Sequence, residues 1–488
     1  MKFLLTTTLL AALSLSSAAQ AQSSCPADPI GISITPAGTD RFEIGVSAVG
    51  ASGAIDISWG PAQGTVDGTA DFLSDVVFNL ADGRSVEATY LGQGSWTVPG
   101  DAETRWDGYR YTLTAGHDAA RWDVGKEEVA YRFDDAFYFV MHSVLAVNYA
   151  WTDCHFDVRF DIPDDWQALT PWNEEAENHF AVASLNDLLR NLIVVGPGLD
   201  PEMIRIGGLD VVIVTEEAFS SARQEFRNVL VESLARYGQI FGDMPMDRYL
   251  VAFGADEMND GGAFAQSFGQ RLPAPFRAHE TLMWARALAH ETLHAWIGHA
   301  IEADPYSELQ WFTEGGTDYL TMKTLYRAGL VDADDVIFMI EGQIRRYFLG
   351  RISSGPISLA EAGENKQQNR QLVYGSGALF NFLLDAEMTA QSGPGAYEAA
   401  LRGLYQADDT HYSEARLLAE LDVVSDGAAS EIHAWLNGPF NPFDVLARMD
   451  EAGLATSAFG PDEIMVRFAA NGCSGSREPA CMPDFLQR

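Results

Sequence analysis

Hydrophobic and polar residues alternate along the first third of the chain. Phe42, Ile44, Val46 and Ala48 take every second place, as do Ile55, Ile57 and Trp59, then Tyr109, Tyr111 and Leu113. Phe156, Val158, Phe160 and Ile162 give the clearest case. A period of two points successive side chains to opposite faces, so these segments, bounded by Gly, Pro and Asp, are half-buried antiparallel strands. Their succession predicts a β-sandwich over residues 22–172. The apolar run 136–151 is interrupted by His142, Ser143 and Asn148, which makes it a buried strand and not a membrane span.

After Trp172 the period changes. Residues 211–214 form a short apolar strand, and Ala222, Phe226, Val229, Leu230, Leu234 and Tyr237 then recur at helical spacing. A second strand is predicted at 249–253, followed by a loop at 256–262 and a long helix from about 279 to 300. Downstream to Leu454 the pattern is helix and turn, with a polar surface loop at 363–371. These changes divide the chain into residues 173–390, a helical C-terminal region at 391–470 and a tail at 471–488.

Composition alters this picture in one respect. Of 488 residues, 47% are hydrophobic and 20% charged, which is ordinary, but the formal net charge is -38. So acidic a surface repels phosphates and anionic lipid, which argues against nucleic-acid and membrane-surface partners. Residues 1–21 have the form of an export signal: Lys2, an apolar stretch at 3–15, and Ala19-Gln20-Ala21 as the cleavage site. The mature protein is then expected in the periplasm or outside the cell, with no membrane insertion after cleavage. The four cysteines fit that compartment. Cys473 and Cys481 are expected to close a small loop, and Cys25 and Cys154 to tie the mature N-terminus to a strand. A lipid on Cys25 is the rival, although Gln22-Ser23-Ser24 lacks the apolar residue expected before a lipidated cysteine.

The chemistry concentrates in His290-Glu291-Thr292-Leu293-His294. On a helix, residues four apart lie one above the other, so both imidazoles face one side at the spacing of two zinc ligands. Glu291 sits beside them and suits a general base for a metal-activated water. In Trp311-Phe312-Thr313-Glu314-Gly315-Gly316, Glu314 supplies a third ligand from the next helix. Asp318, one turn later, is placed to fix an imidazole tautomer. The alternative with a third histidine fails, because Ile297 and Ala300 stand where its Gly and His belong. One Zn2+ per chain and a peptide or protein substrate follow.

These segments resemble the glycyl aminopeptidase family of gluzincin metallopeptidases. His290 to Trp296 matches that family's HExxHxW, and Trp311 to Tyr319, WFTEGGTDY, its W-F-x-E-G-x-T-x-Y. Tyr374-Gly375-Ser376-Gly377-Ala378-Leu379 is similar to its Y-x-K-G-A-L, with Ser376 for the lysine, and DIPDDW at 161–166 to its P-x-x-W segment. The resemblance implies an α+β protein: an N-terminal β-sandwich, a thermolysin-like catalytic domain at 173–390 and a helical C-terminal region. It implies Tyr374 as the donor to the oxyanion of the tetrahedral intermediate. Gly261, Gly262, Ala263 and Phe264 correspond to its substrate-binding edge strand G-G-x-E-H, but Phe264 replaces the Glu that holds a substrate's amino group. Family members often continue into a PDZ domain, which the residues after Leu454 do not provide.

The resemblance therefore leaves the choice between aminopeptidase and endopeptidase open. Tolerance of N-blocked peptides is the expectation; in the alternative an amine anchor survives, with Asp256, Glu257 and Asp260, and more weakly Glu302, as replacement carboxylates. A zinc aminopeptidase of the leukotriene-hydrolase type and a non-catalytic scaffold derived from a peptidase are the alternatives. The intact His290, Glu291, His294 and Glu314 set argues against the scaffold.

Overall fold

The computed structural model describes residues 25–487 except 27, 59, 61, 101–103, 123–124 and 258, with backbone only at 127. The export signal at 1–21 and Trp59 lie outside these residues.

An eight-stranded sheet runs in the order Asn173–Ala176, His179–Val182, Phe156–Phe160, Ile30–Pro36, Arg41–Ala51, Trp106–Thr114, Leu73–Leu80, Ser85–Glu87. The alternating residues behave as their period requires: Phe42, Ile44, Val46 and Ala48 are buried while their neighbours face outward. The sheet is mixed and not wholly antiparallel, because Ile30–Pro36 runs parallel to Phe156–Phe160. The Cys25–Cys154 disulfide joins the segments just ahead of those two strands and links positions 129 apart in sequence.

A four-stranded sheet, Tyr131–Phe133, Ala136–Val140, Leu192–Pro197, Trp166–Leu169, forms the middle layer. Phe137, Phe139, Ile193 and Val195 pack into the core of the first sheet. Tyr138, Val140, Leu192 and Val194 turn the other way, onto Val212, Val214, Leu250, Ala252 and Phe264 of a third sheet. Coverage on both faces explains why Ala136–Val140 is apolar at every position. The strand expected over 136–151 ends at Val140, and Met141–Val144 is a helical turn carrying His142.

The third sheet has five strands in the order Glu202–Ile206, Leu209–Thr215, Arg248–Asp256, Ser267–Pro273, Asp260–Ala263. Its centre is parallel and Asp260–Ala263 is an antiparallel edge, so half of the expected loop 256–262 is strand. Helices cover its far face, with Phe226 and Leu230 of Arg223–Phe241 and Trp284 and Leu288 of Thr281–Leu293 packed on Val211, Ile213, Val251 and Phe253.

Thr281–Leu293 is shorter than the helix expected to residue 300. Gly298, at φ 122°, turns the chain back beneath His294, a conformation that L side chains rarely adopt. The expected helical region 391–470 also contains a hairpin, Leu454–Ala458 with Ile464–Phe468, in which Ile464, Val466 and Phe468 alternate inward as strand residues do. Cys473 and Cys481 are joined just beyond it.

Candidate active site

Glu314 does not start an ordinary helix. It lies in a π-helical turn, Trp311–Gly316, that runs into Thr317–Ala328. Three close approaches hold this turn in place. A Cβ on Gly315 would lie 2.4 Å from the Ala378 nitrogen, one on Gly377 would lie 1.7 Å from the Trp311 carbonyl oxygen, and one on Gly375 would lie 2.4 Å from the Tyr347 nitrogen. Glycine at all three lets the helix Arg370–Ser392 wedge between the π turn and Ala333–Ser354, which brings Tyr374 beside the zinc-ligand candidates.

The Nε2 atoms of His290 and His294 are 3.1 Å apart, and Glu314 Oε2 lies 3.5 Å from the first and 3.6 Å from the second. A tetrahedral zinc with bonds of about 2.0–2.1 Å requires donor atoms about 3.3 Å apart, so the three residues fit that ion. Among the described residues, no other cluster of three or more His, Cys, Asp or Glu side chains could hold a metal. The tautomers are set from behind. His294 Nδ1 lies 2.9 Å from the Ile297 carbonyl and His290 Nδ1 lies 3.0 Å from Asp318 Oδ1, leaving each Nε2 facing the site.

Asp318 is buried. Burial alone would raise its pKa, but Arg286 at 2.7 Å, His290 and Arg346 at 2.9 Å hold the carboxyl well below the usual range. Gln343 donates to it as well. It is a permanent anion under His290.

Glu291 lies beside the cluster, with Oε2 3.9 Å from His294 Nε2 and 23% of its side chain exposed. Burial pushes its carboxyl up, opposed by the two imidazoles. The Tyr374 ring lies 6.2 Å from that of His290, nearly parallel, with the guanidinium groups of Arg346 and Arg370 over it at 5.1 and 5.3 Å. Burial and the Glu314 charge raise the phenol pKa, so it stays protonated and able to donate.

Two site residues carry no sequence signal. The stretch 363–371, expected as a solvent loop, spans the end of one helix and the start of another, and it delivers Lys366 Nζ onto Glu314 Oε1. Glu128, from a distant turn, comes within electrostatic reach of Glu291. Only the tertiary fold brings either to the site.

The edge strand pairs through Gly262 with Gly269, and the helix Thr281–Leu293 lies against it. Phe264 does not line the resulting cleft. Its ring is packed in the core between the middle and third sheets.

Residues 284–379 match the model of the M61 glycyl aminopeptidase family. Two crystal structures have similar folds. An aminopeptidase N family protein from Idiomarina loihiensis has a TM-score of 0.63 at 15% identity, covering 88% of this chain and 79% of its own. An M1 zinc metallopeptidase from Deinococcus radiodurans has a TM-score of 0.53 at 15% identity, covering 85% and 94%. No curated protein sequence matches. The chain is a zinc metallopeptidase that hydrolyses peptide bonds. Within that class, residues 284–379 are similar to the glycyl aminopeptidases.

Proposed function

We propose that this is an exported peptidase with one zinc per chain, held by His290, His294 and Glu314, in which Glu291 is the general base and Tyr374 the oxyanion donor. The observation that carries the reading is the spacing of the three donor atoms at the edges of a zinc tetrahedron, with the Glu291 carboxylate beside them. Zinc bound there would polarise a scissile carbonyl and acidify a water. Glu291 takes the proton from the attacking water and returns it to the leaving amine. Tyr374 donates to the oxygen on which negative charge develops. Asp318 keeps His290 in one tautomer throughout.

The substrate lies along Asp260–Ala263 as an added strand, backbone to backbone. In this reading the layers before the five-stranded sheet are the N-terminal sandwich domain, and that sheet with the zinc-site helices is the thermolysin-like unit. Export is supported by two disulfides and by the absence, among the described residues, of a helix long and apolar enough to cross a membrane.

Metal analysis with a peptide-hydrolysis assay tests the reading. The mature protein is expected to hold one zinc, and Glu291→Gln to keep it while losing nearly all activity. Zinc near zero in the wild type, or full activity in the variant, would overturn it.

A further inference from the structure

An enzyme that cuts at the amino end of a peptide must hold the substrate's ammonium group, and a cation taken into a cleft needs an anion there. The carboxylates nearest the edge strand in sequence do not serve. Asp256 is committed to Arg271 at 2.7 Å and to Lys126 at 3.8 Å. Glu257 and Asp260 are exposed, and Asp260 accepts from its neighbour's Gly261 N–H. Glu302 lies 3.4 Å from His411 on a small separate sheet.

Glu128 is different. It ends the 3-10 turn Lys126–Glu128, which packs against Asp260–Ala263 and the neighbouring strand Ser267–Pro273. Its carboxyl feels the like charges of Glu291 and Asp260 and, in the opposite sense, the charge of Arg190. The group paired with it is His142, 3.9 Å away, which burial and Arg190 keep neutral. Among the described residues no lysine or arginine forms a salt bridge with Glu128, and 31% of its side chain remains open. A carboxylate is therefore held at the edge strand, near the base, with space beside it and no salt-bridge cation.

We propose that Glu128 receives the free α-ammonium group of the peptide substrate and so determines cleavage at the amino terminus. The anchor missing at Phe264 is thus supplied from the N-terminal layers, which reverses the expectation that N-blocked peptides are tolerated. Burial and the two neighbouring carboxylates push Glu128 up to about 7, a strain that an arriving ammonium relieves. The inference rests on the peptidase reading above.

Tetra-alanine with a free and an acetylated N-terminus tests it. The wild type is expected to prefer the free peptide at least tenfold in kcat/KM. Glu128→Gln is expected to collapse that preference at least fivefold, mainly through KM, with zinc content unchanged, and Glu128→Asp to recover part of it. In parallel, calorimetry on zinc-loaded Glu291→Gln is expected to show the free peptide binding more tightly than the acetylated one, and Glu128→Gln in that background to abolish the difference. Equal losses on both peptides, or an unchanged preference, would overturn the role of Glu128. A zinc-loaded wild type that hydrolyses neither peptide would count against the peptidase reading instead, and the binding comparison would still judge Glu128.

Discussion

At the scale of single residues, the site in the proposed reading separates holding the metal from using it. Glu314→Ala leaves two protein ligands, so zinc is expected to be lost to a mild chelator that the wild type withstands, as competition with a metal indicator would report. In the proposed reading the Tyr374 hydroxyl, which interacts with Glu314 and Arg370, acts on the oxyanion of the transition state. Tyr374→Phe is therefore expected to lower kcat about one hundred-fold or more with little change in KM. An unchanged kcat would make Tyr374 a packing residue.

Far from the site, His117 is fully buried against Phe72 and Trp122, and its Nδ1 accepts the Ala130 N–H, so the ring is neutral. Burial lowers its pKa from 6.5 to about 3. Between these values the unfolded chain binds a proton that the folded chain refuses, so stability falls as pH drops from about 6.5 toward 3. Denaturant midpoints from pH 7 to pH 4 should decline less steeply in His117→Asn than in the wild type.

At the scale of elements, close helix contacts decide whether the site exists. Gly377→Ala places a methyl group into the Trp311 carbonyl, with no flexible side chain to yield. A loss of about 1–3 kcal/mol or more is expected, together with weakened zinc binding, because the π turn that carries Glu314 must shift. Gly342, in the helix Ala333–Ser354, has nothing within 4 Å of its added Cβ. Gly342→Ala should stabilise by about 0.5–1 kcal/mol, and a thermal melt of the pair separates contact from propensity.

The same helices are tied by Lys323, which pairs with Asp385 and Glu398, while Tyr319 donates to Asp385. All four are buried, so Lys323→Met should cost about 3–5 kcal/mol by leaving Asp385 without its cation, while Glu398 keeps Arg327 at 2.7 Å. That ion pair had no sequence signature. Its partners are 62 residues or more away along the chain, and a lone lysine in a helix looks like any solvated one.

At the scale of the molecule, the middle sheet is the organising layer. Its alternate residues face two different cores, which couples the N-terminal layers to the sheet that carries the edge strand. Gly269 permits this, since a Cβ there would lie 2.1 Å from the Tyr138 hydroxyl. Export to an oxidising compartment should leave both disulfides formed. Mass mapping without reduction is expected to link Cys25 to Cys154 and Cys473 to Cys481, and four free thiols would contradict the structure and the export reading together.

The sequence by itself determined whatever depends on local period and fixed spacing. The strands at Phe42, Tyr109 and Phe156 follow from alternation. The two histidines share a helix face because 3.6 residues make a turn, and the match of WFTEGGTDY to a known motif placed Glu314. Both cysteine pairings were legible because only three were possible and one pair is eight residues apart. Tertiary structure decided the rest. It took Phe264 into a core, turned 363–371 into the support of Lys366 beside Glu314, and brought Glu128 across from another layer to the edge strand. Such encounters depend on how sheets and helices stack, and electrostatic and packing forces between residues far apart in sequence leave no period to read.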